Sequence, residues 1–217
     1  MLDMLSRNVE DTDTLNPRFT TAQKTAELYT GYKSLVNLLH KSYLTELETY
    51  KEGVLITSGV SAALTSTLLG KEIIQGKNGI LQVKNTSTVD GKWCRVMDFE
   101  DVIREENNLL GGTVNTPTAW VFGNKLWIKP LTISRVTVYF LGMPTDFTGL
   151  PLTTVPDINS SFHEMIVALA EAELWKSDRK LDRQAAALKT VYEQVVLLNQ
   201  KYERPEGVGE KHLQRGK

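Results

Sequence analysis

Apolar residues recur at three-and-four spacing in two long stretches of this chain and at alternate positions between them, so helical ends flank a β-rich middle. In the first stretch Leu28, Tyr32, Leu35, Leu39, Tyr43, Leu47 and Tyr50 share one helical face despite Gly31. Thr20, with Gln23 three positions on, has the form of a capping box. One amphipathic helix is predicted from about Thr21 to Tyr50. The second stretch, Phe162 to Tyr202, contains neither Pro nor Gly. Its first half is apolar nearly all round (Phe162, Met165, Ile166, Val167, Leu169, Trp175), which predicts a helix covered on several sides. Its second half carries one stripe, Leu181, Ala185, Leu188, Tyr192, Val195, Leu198 and Tyr202. The polar run Lys176 to Asp182 separates the halves, and Asp178 or Asp182 is a candidate cap for a new helix. One bent helix or an antiparallel hairpin fits; a single helix of roughly 60 Å is hard to cover in a chain this small, which favours the hairpin.

Between these stretches the period falls to two. Ile80 to Lys84 and Trp93 to Met97 read as strands around the turn-rich NTSTVDGK. Asp98 is placed to cap a short helix before Gly111-Gly112. The strongest β signal is a hairpin from Ala119 to Ile128 turning at Gly123-Asn124, with Pro130 ending its second strand. A further strand runs from Arg135 to Gly142 with Val136, Val138 and Phe140 on one face. Residues 51–78 stay open between a short helix ending at Gly70 and two short strands. The expected fold is mostly α: a helical bundle, three or more helices, with an antiparallel β-rich insertion over about residues 80–142 (α+β). Residues 1–18 read as a flexible arm, 19–203 as one domain, and 204–217, rich in Pro, Gly and charge, as an extended tail.

Composition narrows the chemistry. The 217 residues are enough for a sizeable core, and the formal net charge of −1 lacks the basic excess of a protein that grips duplex DNA. No apolar run approaches the twenty residues of a membrane span, and the N-terminus lacks the basic and apolar regions of a secretory signal. Cys94, the single cysteine, excludes an internal disulfide and a thiolate metal cluster, and points to synthesis in a reducing cytoplasm.

Candidate sites are weak. Gly70-Lys71 is no phosphate loop, because Glu72 stands where a hydroxyl is needed and Thr65 where a glycine is. His163, Glu164, Glu171 and Glu173 lack the Glu-x-x-His spacing of bundle metal sites and read as a solvated or intersubunit helix face. Cys94 reads as a buried, inert thiol in an apolar strand. Lys176, Arg179, Lys180 and Arg183 alternate with acids and read as an exposed turn, with an acidic neighbour or nucleic acid as the sharper alternative. Trp120, Trp127 and Trp175 read as core, without the surrounding cations of a single-strand platform. No catalytic residue, cofactor or metal is expected.

The order of segments from about Ala119 to Tyr202 resembles the portal-to-tail adaptors of tailed phages, also called head–tail connector or neck ring proteins. The likeness lies in the hairpin AWVFGNKLWIKP, the strand RVTVYFLGMPTDFTG, the loop LPLTTVPD, the helix opening FHEMIVALAEAELW, and the Asp-containing break before LDRQAAALKTVYEQVVLL. It covers a little under half the chain; residues 51–78 have no counterpart. The resemblance implies a helical bundle with a β-rich insertion and a ring, commonly of twelve subunits, beneath the portal. Its partners would be the portal protein, tail or further neck ring proteins, and copies of itself. Double-stranded DNA would pass through the lumen without sequence-specific binding. The implied location is the virion neck, after synthesis in the bacterial host cytoplasm. By the same resemblance the C-terminal tail docks on the portal, with Val208 and Leu213 in apolar notches and Arg204, Lys211 and Arg215 against carboxylates. The runner-up is a DNA-binding or nucleic-acid-processing accessory protein.

Overall fold

The computed structural model describes residues 1–11, 17–88, 90–106, 112–146 and 155–202. The chain forms two compact units, one from residues 1–43, 146–154 and 160–217, the other from residues 44–145 and 155–159.

In the first unit, α1 (Leu2–Asn8) replaces the start of the expected flexible arm. Leu5 and Val9 are fully buried, and Asp11 follows them into the interior. Helix α2 (Thr21–Leu38) opens with the predicted capping box: Gln23 N–H donates to Thr20 Oγ1 at 3.2 Å, and Thr20 N–H to Gln23 Oε1 at 2.8 Å. It stops twelve residues short of Tyr50. Leu39 is extended, and Lys41–Tyr43 and Thr45–Leu47 form single 3₁₀ turns. The three-and-four spacing continued through Leu47 and Tyr50 by coincidence, in turns and then a strand.

Helix α5 (His163–Ser177) buries Met165, Ile166, Val167, Leu169, Ala170 and Trp175, as an all-round apolar helix must, and packs against α1, α2 and α6 (Leu181–Gln200). The interruption at Lys176 to Asp182 is therefore a turn between two packed helices. Gly31 lets α2 and α5 approach closely: a Cβ there would stand 2.7 Å from the Ile166 carbonyl oxygen.

The second unit is a closed barrel in the order β1-β2-β6-β5-β4-β3-β7. Its strands are β1 (Glu48–Thr57), β2 (Val60–Ala63), β3 (Ile80–Asn85), β4 (Trp93–Val96), β5 (Thr118–Phe122), β6 (Lys125–Lys129) and β7 (Arg135–Leu141). Helices α3 (Ser66–Leu69) and α4 (Phe99–Glu106) interrupt the strand sequence. The predicted hairpin is β5–β6, with Gly123 and Asn124 both at positive φ, as a two-residue turn matched to strand twist requires. Val136, Val138 and Phe140 point inward from β7 with Val54, Ile56 and Val83, forming the barrel core.

The mostly-α expectation is thus overturned. The chain is 45% helix and 24% strand with a closed seven-stranded barrel, not a helical bundle carrying an insertion. Nor is the β unit wholly antiparallel, because β4 and β5 pair in parallel. The cause lies in residues 48–63, where β1 and β2 supply the pairings that close the barrel. Much of β1 is exposed, so its alternation is weak, and β2 is only four residues long.

Candidate functional site

Two surfaces stand out, one in each unit. On α6, Val191 and Val195 are buried, and Leu188 and Leu198 are half-buried beside them. The stripe read from sequence therefore divides. Leu181, Ala185 and Tyr192 lie about a quarter-turn away with Val196, on the solvent side. Leu181, Tyr192 and Val196 are between 48% and 66% exposed. The strip runs about 22 Å at 1.5 Å per residue.

The C-terminal end of α6 is anchored to the end of α2. Near its C-terminus Asn199 Nδ2 donates to the Leu38 carbonyl and Asn199 Oδ1 accepts from His40 N–H, each at 2.8 Å, so one side chain satisfies the free groups at the end of α2. Tyr202 stacks on His40, ring centroids 4.7 Å apart, and meets Tyr43 edge-on at 5.1 Å. At the other end neither aspartate caps the helix, whose N-cap is Lys180 without a side-chain bond. Asp178 closes α5 and pairs with Arg18, and Asp182 sits in the first turn of α6.

The basic group is largely engaged at home. Lys176 Nζ contacts Glu173 at 2.9 Å; Arg183 reaches Glu10 at 3.1 Å and lies 4.6 Å from the centre of the Trp175 ring. Arg179 holds the turn at positive φ, and Lys180 is exposed. Beneath them Asp11 and Lys24 form a buried pair at 2.8 Å. Burial opposes ionisation of Asp11, but the Lys24 ammonium and the Phe19 and Arg18 N–H donors outweigh it and hold the carboxyl below its ordinary value.

On the barrel, the outer side of β1, β7, β3 and β4 carries a row of rings. Tyr139 stands between Tyr50 at 5.6 Å and Trp93 at 5.4 Å. Tyr50 is 58% exposed and Trp93 52%. Lys84 Nζ lies 5.6 Å from the Trp93 ring. Sequence reading missed this row because Tyr50 was assigned to a helix and the other rings come from distant strands. The available signal was alternation in Trp93-Cys94-Arg95, which puts Trp93 and Arg95 outward when Cys94 is buried. A cleft of about 840 Å³ opens at one end of the same barrel, between α4 and the β5–β6 turn. Its lining includes Asp98, Glu100, Asp101 and Phe122, the last stacked on Phe99 at 4.3 Å.

No protein-family model matches this chain, and no curated protein does. Its function is therefore argued from these surfaces.

The residues weighed for chemistry do not converge. His163 opens α5 and Glu164 is exposed, while Glu171 accepts from Asn8 Nδ2 at 2.9 Å and Trp175 Nε1 at 3.1 Å. Glu173 is held by Lys176. Among the described residues no group of three or more His, Cys, Asp or Glu side chains is placed to hold a metal ion. Burial pushes the Cys94 thiol up to about 11, so it stays protonated and unreactive at neutral pH. Gly70 ends α3, and Thr65 caps its start through the Leu68 N–H. Trp120 and Trp175 are buried; Trp127 stacks on Trp120 at 6.4 Å. The tail residues Arg204, Val208, Lys211, Leu213 and Arg215 lie outside the described residues. Among the described residues no helix is long and apolar enough to cross a membrane.

Proposed function

We propose that this chain is a structural virion protein of a tailed phage, forming a ring beneath the portal that joins capsid to tail and extends the DNA channel. The observation that carries the reading is the exposed strip Leu181, Ala185, Tyr192 and Val196 on a helix already packed on its other side. A packed helix that still presents apolar side chains to water gains by packing against a neighbouring subunit. The resemblance over residues 119–202 supplies the kind of assembly, with the portal above, tail or neck proteins below, and twelve copies as the working number. A net charge of −1 suits a conduit, since a strongly basic lumen would retain DNA through counterion release. No catalytic role is assigned.

The alternative, a DNA-binding or nucleic-acid-processing accessory protein acting through the basic turn, has less support. Lys176 and Arg183 are already paired with Glu173 and Glu10. The test is electron microscopy of the chain mixed with isolated portals. Closed rings stacked on portals are expected, and Tyr192→Glu with Val196→Glu should abolish them. Rings that form equally well with both substitutions would remove the role given to α6, and salt-sensitive binding to DNA without rings would overturn the adaptor reading.

A further inference from the structure

We infer that the barrels of adjacent copies are joined head to tail, the aromatic and cationic sheet face of one seated in the acidic cleft of the next. This rests on the ring reading above and deepens it by adding a second contact, independent of α6. The two surfaces are complementary in kind. On the ring side of β1, β7, β3 and β4 the charged residues are Lys84, Arg95 and Arg135 against Glu48, with Glu52 in the β1 bulge; Lys51, opposite inward-facing Val138, does not belong to this side. Pairing places Lys84 opposite Trp93 and Tyr50 opposite Tyr139, so cations and exposed rings share one side of the sheet. The cleft beside α4 presents the reverse. Among the described residues the charged side chains lining it, Asp98, Glu100 and Asp101, are all acidic, and its apolar part is the Phe99–Phe122 stack, with Phe122 51% exposed.

A raised sheet face with rings and cations fits a hollow with a ring pair and carboxylates: apolar parts lose water together, and opposite charges set the register. Neither surface complements itself. The rings and cations of two such faces would set like charges opposite each other, as would two acidic clefts. Seating the face of one copy in the cleft of the next makes the contact heterologous, the type that propagates around a ring. Single-stranded nucleic acid would also satisfy rings beside cations. The acidic cleft on the same barrel favours a second copy, because it supplies the complement within the chain.

The test uses full-length chain in analytical ultracentrifugation. One variant reverses the sheet face, Lys84→Glu with Arg135→Glu; the other reverses the cleft, Glu100→Lys with Asp101→Lys. Each alone should lose at least about tenfold in association constant. Mixing the two should restore a heterodimer, since each keeps the surface the other has lost, and that rescue also shows both are folded. Variants that associate as the parent does, while Tyr192→Glu with Val196→Glu does not, would overturn this contact and leave the α6 ring reading standing. A parent chain monomeric at millimolar concentration would overturn this contact and leave the ring reading to the portal experiment. A labelled oligothymidylate is the second probe. Binding that disappears in Trp93→Ala with Tyr139→Ala would assign the face to single-stranded nucleic acid and overturn the proposal.

Discussion

Replacing Asp11 by Ala is the sharpest test of how the helical unit is held together. The carboxylate does three things at once: it pairs with Lys24 at 2.8 Å and accepts N–H bonds from Arg18 at 2.7 Å and Phe19 at 2.9 Å. Among the described residues, removing it leaves the Lys24 ammonium with only Ser6 Oγ at 3.0 Å and the residue 11 carbonyl at 3.3 Å, in a site where Lys24 is 6% exposed. Breaking a buried pair by deleting one partner costs about 3–5 kcal/mol, most of it the uncompensated charge. Asp11→Ala should therefore cost about 4 kcal/mol. Adding Lys24→Met removes the stranded charge, so the double variant should recover at least about 2 kcal/mol; what remains is the two unsatisfied N–H groups. Urea denaturation followed by far-UV circular dichroism reads both. The sign of the pH effect follows from the lowered carboxyl. Between its folded-state value and the ordinary 3.8 the unfolded chain binds more protons, so the parent loses this stability as pH falls through that range, and Asp11→Ala, which lacks it, should lose none of it there. A single variant within about 1 kcal/mol of the parent, or a double variant no better than the single, would refute the reasoning.

Further outcomes follow from other contacts. Gly31→Ala would place a Cβ 2.7 Å from Ile166 O and 3.0 Å from Ala170 N. Both are backbone atoms, so α2 and α5 must separate; a loss of about 1–3 kcal/mol is expected despite alanine's better helix propensity, and an unchanged thermal midpoint would contradict it. Asn199→Ala deletes two bonds across the α2 and α6 ends and should cost about 1–3 kcal/mol, with faster amide exchange at His40 as its local signature. Ending the chain at Arg204 should leave a folded, soluble protein that no longer assembles on portals. Unchanged ring formation by that truncated chain would remove the docking role given to the tail.

What could be read from sequence was local. The capping box needs residues three apart, the β5–β6 hairpin needs Gly123-Asn124, and the α5–α6 turn needs a polar break of a few residues. Each signal sits beside the structure it specifies. The end of α2 was misread because Tyr43, Leu47 and Tyr50 kept a helical spacing, although their burial comes from turns and from β1. Barrel closure was hidden for a different reason: β1 pairs with β7, eighty or more positions away, and no local period reports such a partner. The parallel β4–β5 ladder was hidden likewise. The ring row of Tyr50, Tyr139 and Trp93 exists only once those registers are fixed, so its members looked unrelated. The capping proposed for Asp178 failed because Arg18, 160 positions away, takes its carboxylate.

The strand pair that closes the barrel also brings together the points at which the chain enters and leaves the β unit. Glu48 faces Leu141 in the register, and the Gly142 N–H donates to the Leu47 carbonyl at 2.9 Å. The β unit therefore leaves the chain where it entered. While it is unfolded, α2 and α5 are tethered by more than a hundred flexible residues. Once it has folded, that tether shrinks to the short runs on either side of residues 47 and 142. Loop closure costs about 1.5RT ln n, so a roughly fourfold shorter effective tether returns about 1 kcal/mol to the meeting of α2 with α5. The folded barrel thus shortens the loop that must close when α2 meets α5.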